Sequence, residues 1–177
     1  MLYGIIINPV TSESLFLIII PAMVKVLFVC LGNICRSPLA ESIFMHKVAA
    51  RGLHGRFQAD SCGTSNYNIG SNPDPRTRRN AAANGIQVNH VARQLSRSDF
   101  DEFDRILVMD SHNLEQARSI CSPIHFSEIL MLRTFDPMGP GDVPDPYYGG
   151  DKEFQEVFDI LNRSMDELIA QLVKANQ

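Results

Sequence analysis

The pattern of apolar and polar positions predicts that strands and helices alternate along this chain. Four short apolar runs are typical of buried strands, at Val24–Val29, Phe57–Ser61, Arg105–Met109 and Glu128–Met131. Apolar residues recur at helical spacing in four other segments, at Pro38–Arg51, Pro75–Asn84, Ser111–Ile120 and from Asp151 to near the C-terminus. Gly85 is expected to end the second helix and Asp151 to be the N-cap of the last. The alternation predicts one three-layer α/β domain, in which helices flank a four-stranded parallel sheet.

Composition places the chain among ordinary globular proteins. Its 177 residues are 45% hydrophobic and 20% charged, which fits one domain with a full core. The net charge of −4 argues against general binding to nucleic acid, which depends on clustered Lys and Arg. The four cysteines, Cys30, Cys35, Cys62 and Cys121, lack the spacing of zinc ligands. We therefore expect no metal and no organic cofactor, and a reducing cytoplasm as the compartment.

The first 22 residues stand apart from this pattern. Leu15 to Ile20 is almost wholly apolar but too short to span a bilayer, and no Lys or Arg precedes Lys25, so the segment is a poor secretory signal. We interpret residues 1–22 as an N-terminal extension outside the native fold, with Met23 as a plausible start and residues 23–177 as the domain. A membrane or partner tether is the alternative, although we expect no membrane association.

The segment between the first strand and the first helix carries the strongest chemical signal. In Val29–Pro38, VCLGNICRSP, five residues separate Cys30 from Arg36, and Ser37 follows. A strand, a tight loop and a helix start in this order direct backbone N–H groups and the positive end of the helix dipole at one point. The loop is therefore expected to bind an anion, with phosphate as the first choice.

Cys30 lies at the mouth of this predicted anion site. The loop amides, the helix end and the charge of Arg36 favour a thiolate over a thiol, which makes Cys30 a candidate nucleophile toward bound phosphate. Arg36 can donate two N–H groups to two phosphate oxygens. Gly32 and Asn33 are residue types that tolerate the backbone conformations of a tight turn. The alternative for Cys30 taken alone is a buried structural cysteine.

A second candidate site is the loop rich in Pro and Gly that precedes the last helix, Gly139–Gly150. Such loops are usually simple turns, but this one holds Asp145 between two prolines and the adjacent aromatics Tyr147 and Tyr148. Hydrolysis of a phenolic phosphate ester needs a proton donor for the leaving oxygen and an apolar wall for the ring. Asp145 is the favoured donor. Other carboxylates compete for this role on the sequence alone, namely Asp136, Asp142 and Asp151.

Motifs near both ends of the chain resemble those of the low-molecular-weight protein tyrosine phosphatases. VCLGNICRSPLAE begins at Val29, and DPYYGG, at Asp145–Gly150, precedes the last helix. Between them, DSCGTSNYNIGSNPDPR, GIQVNHVARQL and VMDSHN also match. The resemblance covers Met23 to Leu172. It implies an enzyme that hydrolyses phosphotyrosine in proteins and that also binds inorganic phosphate and other oxyanions.

The resemblance further implies a reaction in two chemical steps. Cys30 attacks phosphorus to form a phosphocysteine while Asp145 protonates the tyrosine oxygen. Asp145 then acts as the base on the water that releases phosphate. Arg36 and the amides of residues 31–36 hold the phosphate oxygens in both steps, and Ser37 donates a hydrogen bond to the Cys30 sulfur.

The remaining site residues implied by the resemblance fall into three groups. The phosphate-binding loop comprises Leu31, Gly32, Asn33, Ile34, Cys35 and Ser37. Ser61 and His90 support the strained conformation of Asn33. The walls around the substrate ring are Leu31, Ile34, Tyr67, Tyr147 and Tyr148. Ile34 favours a tyrosine phosphatase, because the related arginine phosphatases carry Thr at this position.

The remaining predictions concern oxidation of the active site, self-association and two alternative functions. In this family Cys35 can form a disulfide with oxidised Cys30, although it can also be a passive small residue. The paired tyrosines, if exposed, could support weak self-association. One alternative function is an arsenate reductase of the same fold, which needs two cysteines in a region where this chain has only Cys121. The other is a noncatalytic phosphotyrosine-binding protein.

Overall fold

Six strands and five helices make up the part of the chain that the computed structural model describes, which is residues 4–6, 18–20, 23–121 and 129–176. The strands are β1 (Gly4–Ile6), β2 (Ile18–Ile20), β3 (Val24–Cys30), β4 (Phe57–Gly63), β5 (Arg105–Val108) and β6 (Ile129–Met131). The helices are α1 (Arg36–Ala50), α2 (Pro75–Ala83), α3 (Asp99–Glu102), α4 (Ser111–Ile120) and α5 (Asp151–Ala175). A 3₁₀ turn occupies Leu132–Phe135.

Strands β3 to β6 form one sheet in which all pairs are parallel, in the order β4-β3-β5-β6. The central strand β3 is almost entirely buried, as expected for a strand covered on both faces. Val26 and Phe28 pack in the core shared with α1 and α5, and the alternate residues Leu27 and Val29 pack in the core on the side of α3 and α4. The predicted three-layer α/β domain with a four-stranded parallel sheet is confirmed.

Two helix starts differ from the predicted ones. Helix α1 begins at Arg36 rather than Pro38, so that Pro38 lies in the first turn, where its missing N–H costs no helical hydrogen bond. The prediction that Asp151 caps α5 is wrong, because Gly150 is the N-cap and Asp151 is the first helical residue. The N–H of Gly150 donates to Glu153 Oε2 at 2.7 Å, which holds the start of the helix.

Two predicted segments lie partly outside the described residues. Of residues 1–22, the structure describes β1 and β2, which pair antiparallel, and the interpretation of this segment as an extension stays a prediction. Glu128, the predicted start of the last strand, is also outside them, and the strand is described from Ile129. Within the described ranges, no helix has the length and apolar character that crossing a membrane requires.

The topology places a ligand site at the end of β3. Its two neighbours lie on opposite sides, with β4 on one and β5 on the other, so that the chain reverses its direction across the sheet at this strand. Open parallel sheets bind ligands at the carboxyl ends of the strands at such a point. Cys30 is the last residue of β3 and pairs with Gly63, the last residue of β4.

Candidate active site

The loop of residues 31–35 joins β3 to α1, and its carbonyl groups are held from outside by the chain that follows β4. Thr64, Ser65 and Asp74 each donate a backbone N–H to a carbonyl of this loop or of Cys30 at 2.8 to 2.9 Å. The side chain of Asn68 donates to Gly32 O at 3.2 Å. Because these bonds turn the carbonyls outward, the N–H groups of the loop are left to converge on its interior, which is the geometry of an anion site.

Two glycines allow this close approach of backbone to backbone. A Cβ on Gly63 would lie 2.8 Å from the carbonyl oxygen of Leu31, and one on Gly32 would lie 2.6 Å from Asn68 Nδ2. Neither distance is compatible with a side chain unless the loop or its anchor moves. The sequence predicted the need for Gly32 but not for Gly63.

Cys30 points its sulfur into the centre of the loop. The side chain is buried, with 2% of its residue surface exposed. Its Sγ accepts the N–H of Asn33 at 3.2 Å and lies 3.0 Å from Ser37 Oγ. The sulfur therefore lies among groups that can donate hydrogen bonds to it.

Asn33 has a positive φ of 54°, which is uncommon for a residue with a side chain, and its amide is fully bonded. Its Oδ1 accepts the backbone N–H of Arg93 at 2.9 Å and faces His90 Nε2 at 2.8 Å. Its Nδ2 donates to Ser37 Oγ at 2.9 Å and to Ser61 Oγ at 3.0 Å. Because the Arg93 N–H can only donate, Oδ1 must be the acceptor, and His90 Nε2 must carry a hydrogen. The structure thus brings the predicted partners Ser61 and His90 onto Asn33.

A second layer of contacts lies behind this network. Ser61 Oγ donates to Glu41 Oε2 at 2.8 Å, and His90 Nδ1 lies 3.2 Å from the same oxygen. Glu41 is one turn of α1 beyond Ser37, which places both on the same face of the helix. Among the described residues, Glu41, Asp60 and His90 form the group that could hold a metal ion. Their polar atoms are already committed to protein partners, since Asp60 binds Arg93 at 2.8 Å.

Arg36 brings two carboxylates to the edge of the loop. Its side chain is 3% exposed, and it donates to Asp110 Oδ2 and to Asp145 Oδ2, each at 2.6 Å, and to Val143 O at 3.1 Å. Burial alone lowers the pKa of Arg36, but the charges of Cys30 and Asp145 outweigh it, and the pKa rises above its ordinary value. Arg36 is therefore a permanent cation beside the Cys30 sulfur.

Of the four carboxylates that the sequence offered as proton donors, Asp145 is the one that contacts Arg36. The other three carboxylates are bound elsewhere, Asp136 to Arg163, Asp142 to Ser111 and Asp151 to Arg79. The Arg163 hydrogen bond lowers the pKa of Asp136 below its ordinary value, as expected for a permanent ion pair. The Asp145 side chain is 42% exposed and faces the cavity, so it can exchange partners.

These residues surround one cavity of about 310 Å³. Cys30 and Arg36 are the buried residues at its base, Asp145 lines it as a partly exposed residue, and its lining also contains the predicted wall residues Leu31, Ile34, Tyr67, Tyr147 and Tyr148. Tyr148 is 98% exposed and meets Tyr147 edge to face, with ring centroids 5.1 Å apart. The cavity is thus polar and cationic at its base and aromatic at its rim.

Cys35 lines the same cavity but differs from Cys30 in its surroundings. Burial raises the pKa of the Cys35 thiol to about 12, so that it is uncharged at neutral pH. Burial also raises the pKa of Cys62, which lies on the opposite face of the sheet. Cys30, Cys35 and Cys62 are free thiols in the structure.

Three further residues of the site were not predicted from the sequence. Asp110 holds Arg36 and caps α4, accepting the N–H of Asn113 at 2.7 Å. Its signal was its place directly after the third predicted strand, at the edge of the sheet where the ligand binds. Glu41 could have been found from its helical spacing to Ser37. Arg93 contributes a backbone N–H, for which the sequence gives no signal.

Comparison with known proteins assigns the chain to a family. The sequence profile of the family described as low molecular weight phosphotyrosine protein phosphatase matches residues 25–177. A Schizosaccharomyces pombe protein of that name is 44% identical over 137 residues, which are 76% of this chain and 88% of the relative.

Two solved structures are also similar to this chain. A protein tyrosine phosphatase of Entamoeba histolytica, crystallised with Hepes in the active site, has a TM-score of 0.84 at 37% identity and covers 87% of this chain and 99% of its own. Bacillus subtilis YfkJ has a TM-score of 0.83 at 40% identity, covering 88% and 98%. The chain therefore belongs to the low molecular weight phosphotyrosine protein phosphatase family.

Proposed function

We propose that this protein hydrolyses phosphotyrosine in proteins through a phosphocysteine on Cys30. The observation that carries the proposal is the meeting of Cys30, Arg36 and Asp145 in one cavity with an aromatic rim. A thiol nucleophile, a guanidinium clamp and a mobile carboxyl group are the three groups that transfer of a phosphoryl group from a phenol to sulfur requires.

In the first step, the Cys30 sulfur attacks phosphorus and the bond from phosphorus to the tyrosine oxygen breaks. Asp145 gives its proton to that oxygen, so that neutral tyrosine leaves. The loop amides and the fork of Arg36 bind the three equatorial oxygens, where negative charge is concentrated in the transition state. Ser37, 3.0 Å from the sulfur, stabilises its charge before attack and again when it departs.

In the second step, water attacks the phosphocysteine and the bond from phosphorus to sulfur breaks. Asp145, now a carboxylate, takes the proton of the water, and inorganic phosphate is released. Both steps use the same loop, because the equatorial oxygens keep their places while the apical groups change.

Substrate binding requires an exchange at Arg36. In the structure the guanidinium holds Asp145 at 2.6 Å. An incoming phosphate competes for that Nη2 and releases Asp145 toward the leaving oxygen, while Asp110 continues to hold Nη1. Asp110 thus keeps Arg36 in place through the reaction.

The depth of the cavity selects the phosphorylated residue. We expect phosphotyrosine to reach Cys30 with its ring between the walls, while the shorter phosphoserine does not. With a phosphopeptide offered in tyrosine and serine forms of otherwise identical sequence, kcat/KM for the tyrosine form should be higher by roughly a hundredfold or more. Measurement of released phosphate checks this. Equal rates would contradict the role of the aromatic rim.

The same experiment should include a phosphoarginine peptide and arsenate, which distinguish the proposed function from its alternatives. Ile34 offers no hydroxyl to orient water, so phosphoarginine should be the poorer substrate. Arsenate-dependent oxidation of thiols would instead support a reductase. Retained phosphopeptide binding without hydrolysis would support the noncatalytic alternative.

Cys35 should protect Cys30 from irreversible oxidation. Peroxide converts the Cys30 thiolate to a sulfenic acid, and the Cys35 thiol then displaces water to form a disulfide, which added thiol reduces. After a peroxide pulse and thiol treatment, the wild-type protein should recover most of its activity and Cys35→Ser much less. Because the Cys35 pKa is about 12, protection should improve as the pH rises. If both proteins recovered the same activity, Cys35 would have no protective role.

A further inference from the structure

Arg76, in the first turn of α2, joins that helix to the loop that carries Asp145. Its backbone N–H, Nε and Nη2 all donate to the carboxylate of Asp74, at 2.8, 3.0 and 2.8 Å. Its Nη1 donates to the carbonyl oxygen of Gly149 at 3.3 Å. The Asp74 carboxylate therefore orients the guanidinium, and the guanidinium holds the loop.

The same guanidinium also lies close to two aromatic rings. Its central carbon lies 5.5 Å from the ring centroid of Tyr147 and 4.8 Å from that of Phe154. Phe154 is buried at the start of α5, whereas Tyr147 forms part of the cavity rim. Arg76 thus ties the ring of Tyr147 to the core through cation–π contacts.

Few other bonds hold the segment of residues 146–150. Within the part of the chain that the structure describes, its remaining hydrogen bonds are local: Tyr147 N to Asp145, Gly149 N to Pro146 O, and Gly150 N and O with the first turn of α5. Arg76 supplies the hydrogen bond from elsewhere in the domain. Among the described residues, Arg76 therefore supplies the hydrogen bond that ties this segment to α2.

The segment in turn orients the carboxylate of Asp145. Its Oδ2 accepts from Arg36 at 2.6 Å and its Oδ1 accepts the N–H of Tyr147 at 3.1 Å. When a phosphate binds Arg36 in place of Asp145, the Asp145 carboxylate keeps its hydrogen bond from the Tyr147 N–H. The direction of the proton donor then depends on the position of Tyr147, which Arg76 holds.

We propose that Arg76 is a positioning residue that sets the geometry of proton donation by Asp145. The proposal rests on the proposed function, because it assumes that Asp145 protonates the leaving oxygen. Arg76 is not among the residues that line the cavity. Its effect must therefore depend on how much the leaving group needs a proton.

The test compares kcat/KM of Arg76→Gln and wild type for phenyl phosphate and p-nitrophenyl phosphate. Phenolate is a basic leaving group that needs the proton, whereas p-nitrophenolate leaves readily without it. Arg76→Gln should lower kcat/KM for phenyl phosphate by about tenfold to a hundredfold, and for p-nitrophenyl phosphate by less than about threefold. Arg76→Lys keeps the charge but loses the planar fork, and it should show the same selectivity with a smaller loss.

Arg79→Gln is the matched control, because Arg79 lies one turn later in α2 and pairs with exposed Asp151 at 3.2 Å. It should leave both rates unchanged. In an Asp145→Asn background, Arg76→Gln should cause no further loss, since the residue through which it acts has been removed. Vanadate affinity in the single variants Arg76→Gln, Arg76→Lys and Arg79→Gln should match that of wild type, which shows that the loop is intact.

Three results would overturn the role of Arg76 while leaving the proposed function in place. These are equal losses with both substrates, a further loss in the Asp145→Asn background, or rates in Arg76→Gln and Arg76→Lys that match wild type. Failure of the proposed function has a different signature. The wild-type protein would then hydrolyse neither substrate, or hydrolysis would persist in Cys30→Ser, and both proposals would fall together.

Discussion

Replacing Cys30 with serine is expected to lower kcat for p-nitrophenyl phosphate by roughly a millionfold, as expected for loss of a covalent nucleophile. The serine hydroxyl is similar in size, but it does not ionise under these conditions and it attacks phosphorus poorly. The hydrogen bonds from Asn33 and Ser37 would still be available to the new oxygen. The variant should therefore fold and keep its loop.

Steady-state hydrolysis and vanadate binding measure the two parts of this prediction. Hydrolysis by Cys30→Ser should be no faster than the background rate, while its affinity for vanadate should fall by a much smaller factor than kcat. Cys121→Ser is the control, because Cys121 packs in the core on the opposite face of the sheet and should be dispensable for turnover. Substantial hydrolysis by Cys30→Ser would mean that water attacks the ester directly, without a covalent step.

Arg36→Lys is expected to have the second largest effect, a loss of about a thousandfold in kcat/KM. Lysine keeps the positive charge but presents no planar fork, so it cannot bind two equatorial oxygens while it holds Asp110. Arg36 uses two separate nitrogen atoms for Asp110 and Asp145, each at 2.6 Å, and the one nitrogen of lysine cannot keep the geometry of both contacts. Since the fork fits the transition state better than the substrate, kcat should fall more than KM rises.

Kinetics with p-nitrophenyl phosphate and a thermal melt separate this effect from loss of the fold. Arg163→Lys is the matched control, because Arg163 holds Asp136 with a similar two-bond fork and neither residue lines the cavity. Its kcat/KM should match that of wild type. If Arg36→Lys retained near-normal turnover, charge alone would suffice and the fork would have no catalytic role.

The loop residues could be predicted from the sequence because they are contiguous. Cys30 and Arg36 are separated by one tight turn, so the strand before them and the helix after them fix their relative positions. The same local logic predicted Gly32 and Asn33, and Asn33 indeed has a positive φ. The alternation of strands and helices was likewise sufficient for the fold class.

Residues distant in the chain were harder to place. Asp145 meets Arg36 across 109 positions of sequence, and only the resemblance to a family favoured it strongly over the other carboxylates. Asp110 was missed for the same reason, although its position at a strand end was a usable signal. Contacts made by backbone groups, such as that of Arg93 with Asn33, carry no side-chain signature.

Short elements and helix ends also escaped prediction. Helix α3 spans four residues, too few to show a helical period. Asp151 is a good N-cap by residue type, but the adjacent Gly150 takes that place because Glu153 can reach back to its N–H. At this helix start, one side-chain contact therefore outweighs the preference of Asp for the N-cap position.

The central claim is that Cys30 carries the phosphoryl group between the two steps, and acid quenching during turnover tests it most directly. The wild-type protein should be mixed with p-nitrophenyl phosphate, quenched within the first turnover, digested under conditions that preserve phosphorus–sulfur bonds, and examined by mass spectrometry. The account predicts one added phosphoryl group on the peptide that contains Cys30, and none on that peptide from Cys30→Ser. Rapid turnover with no phosphorylated Cys30 at any quench time, or with the phosphoryl group on another residue, would contradict it.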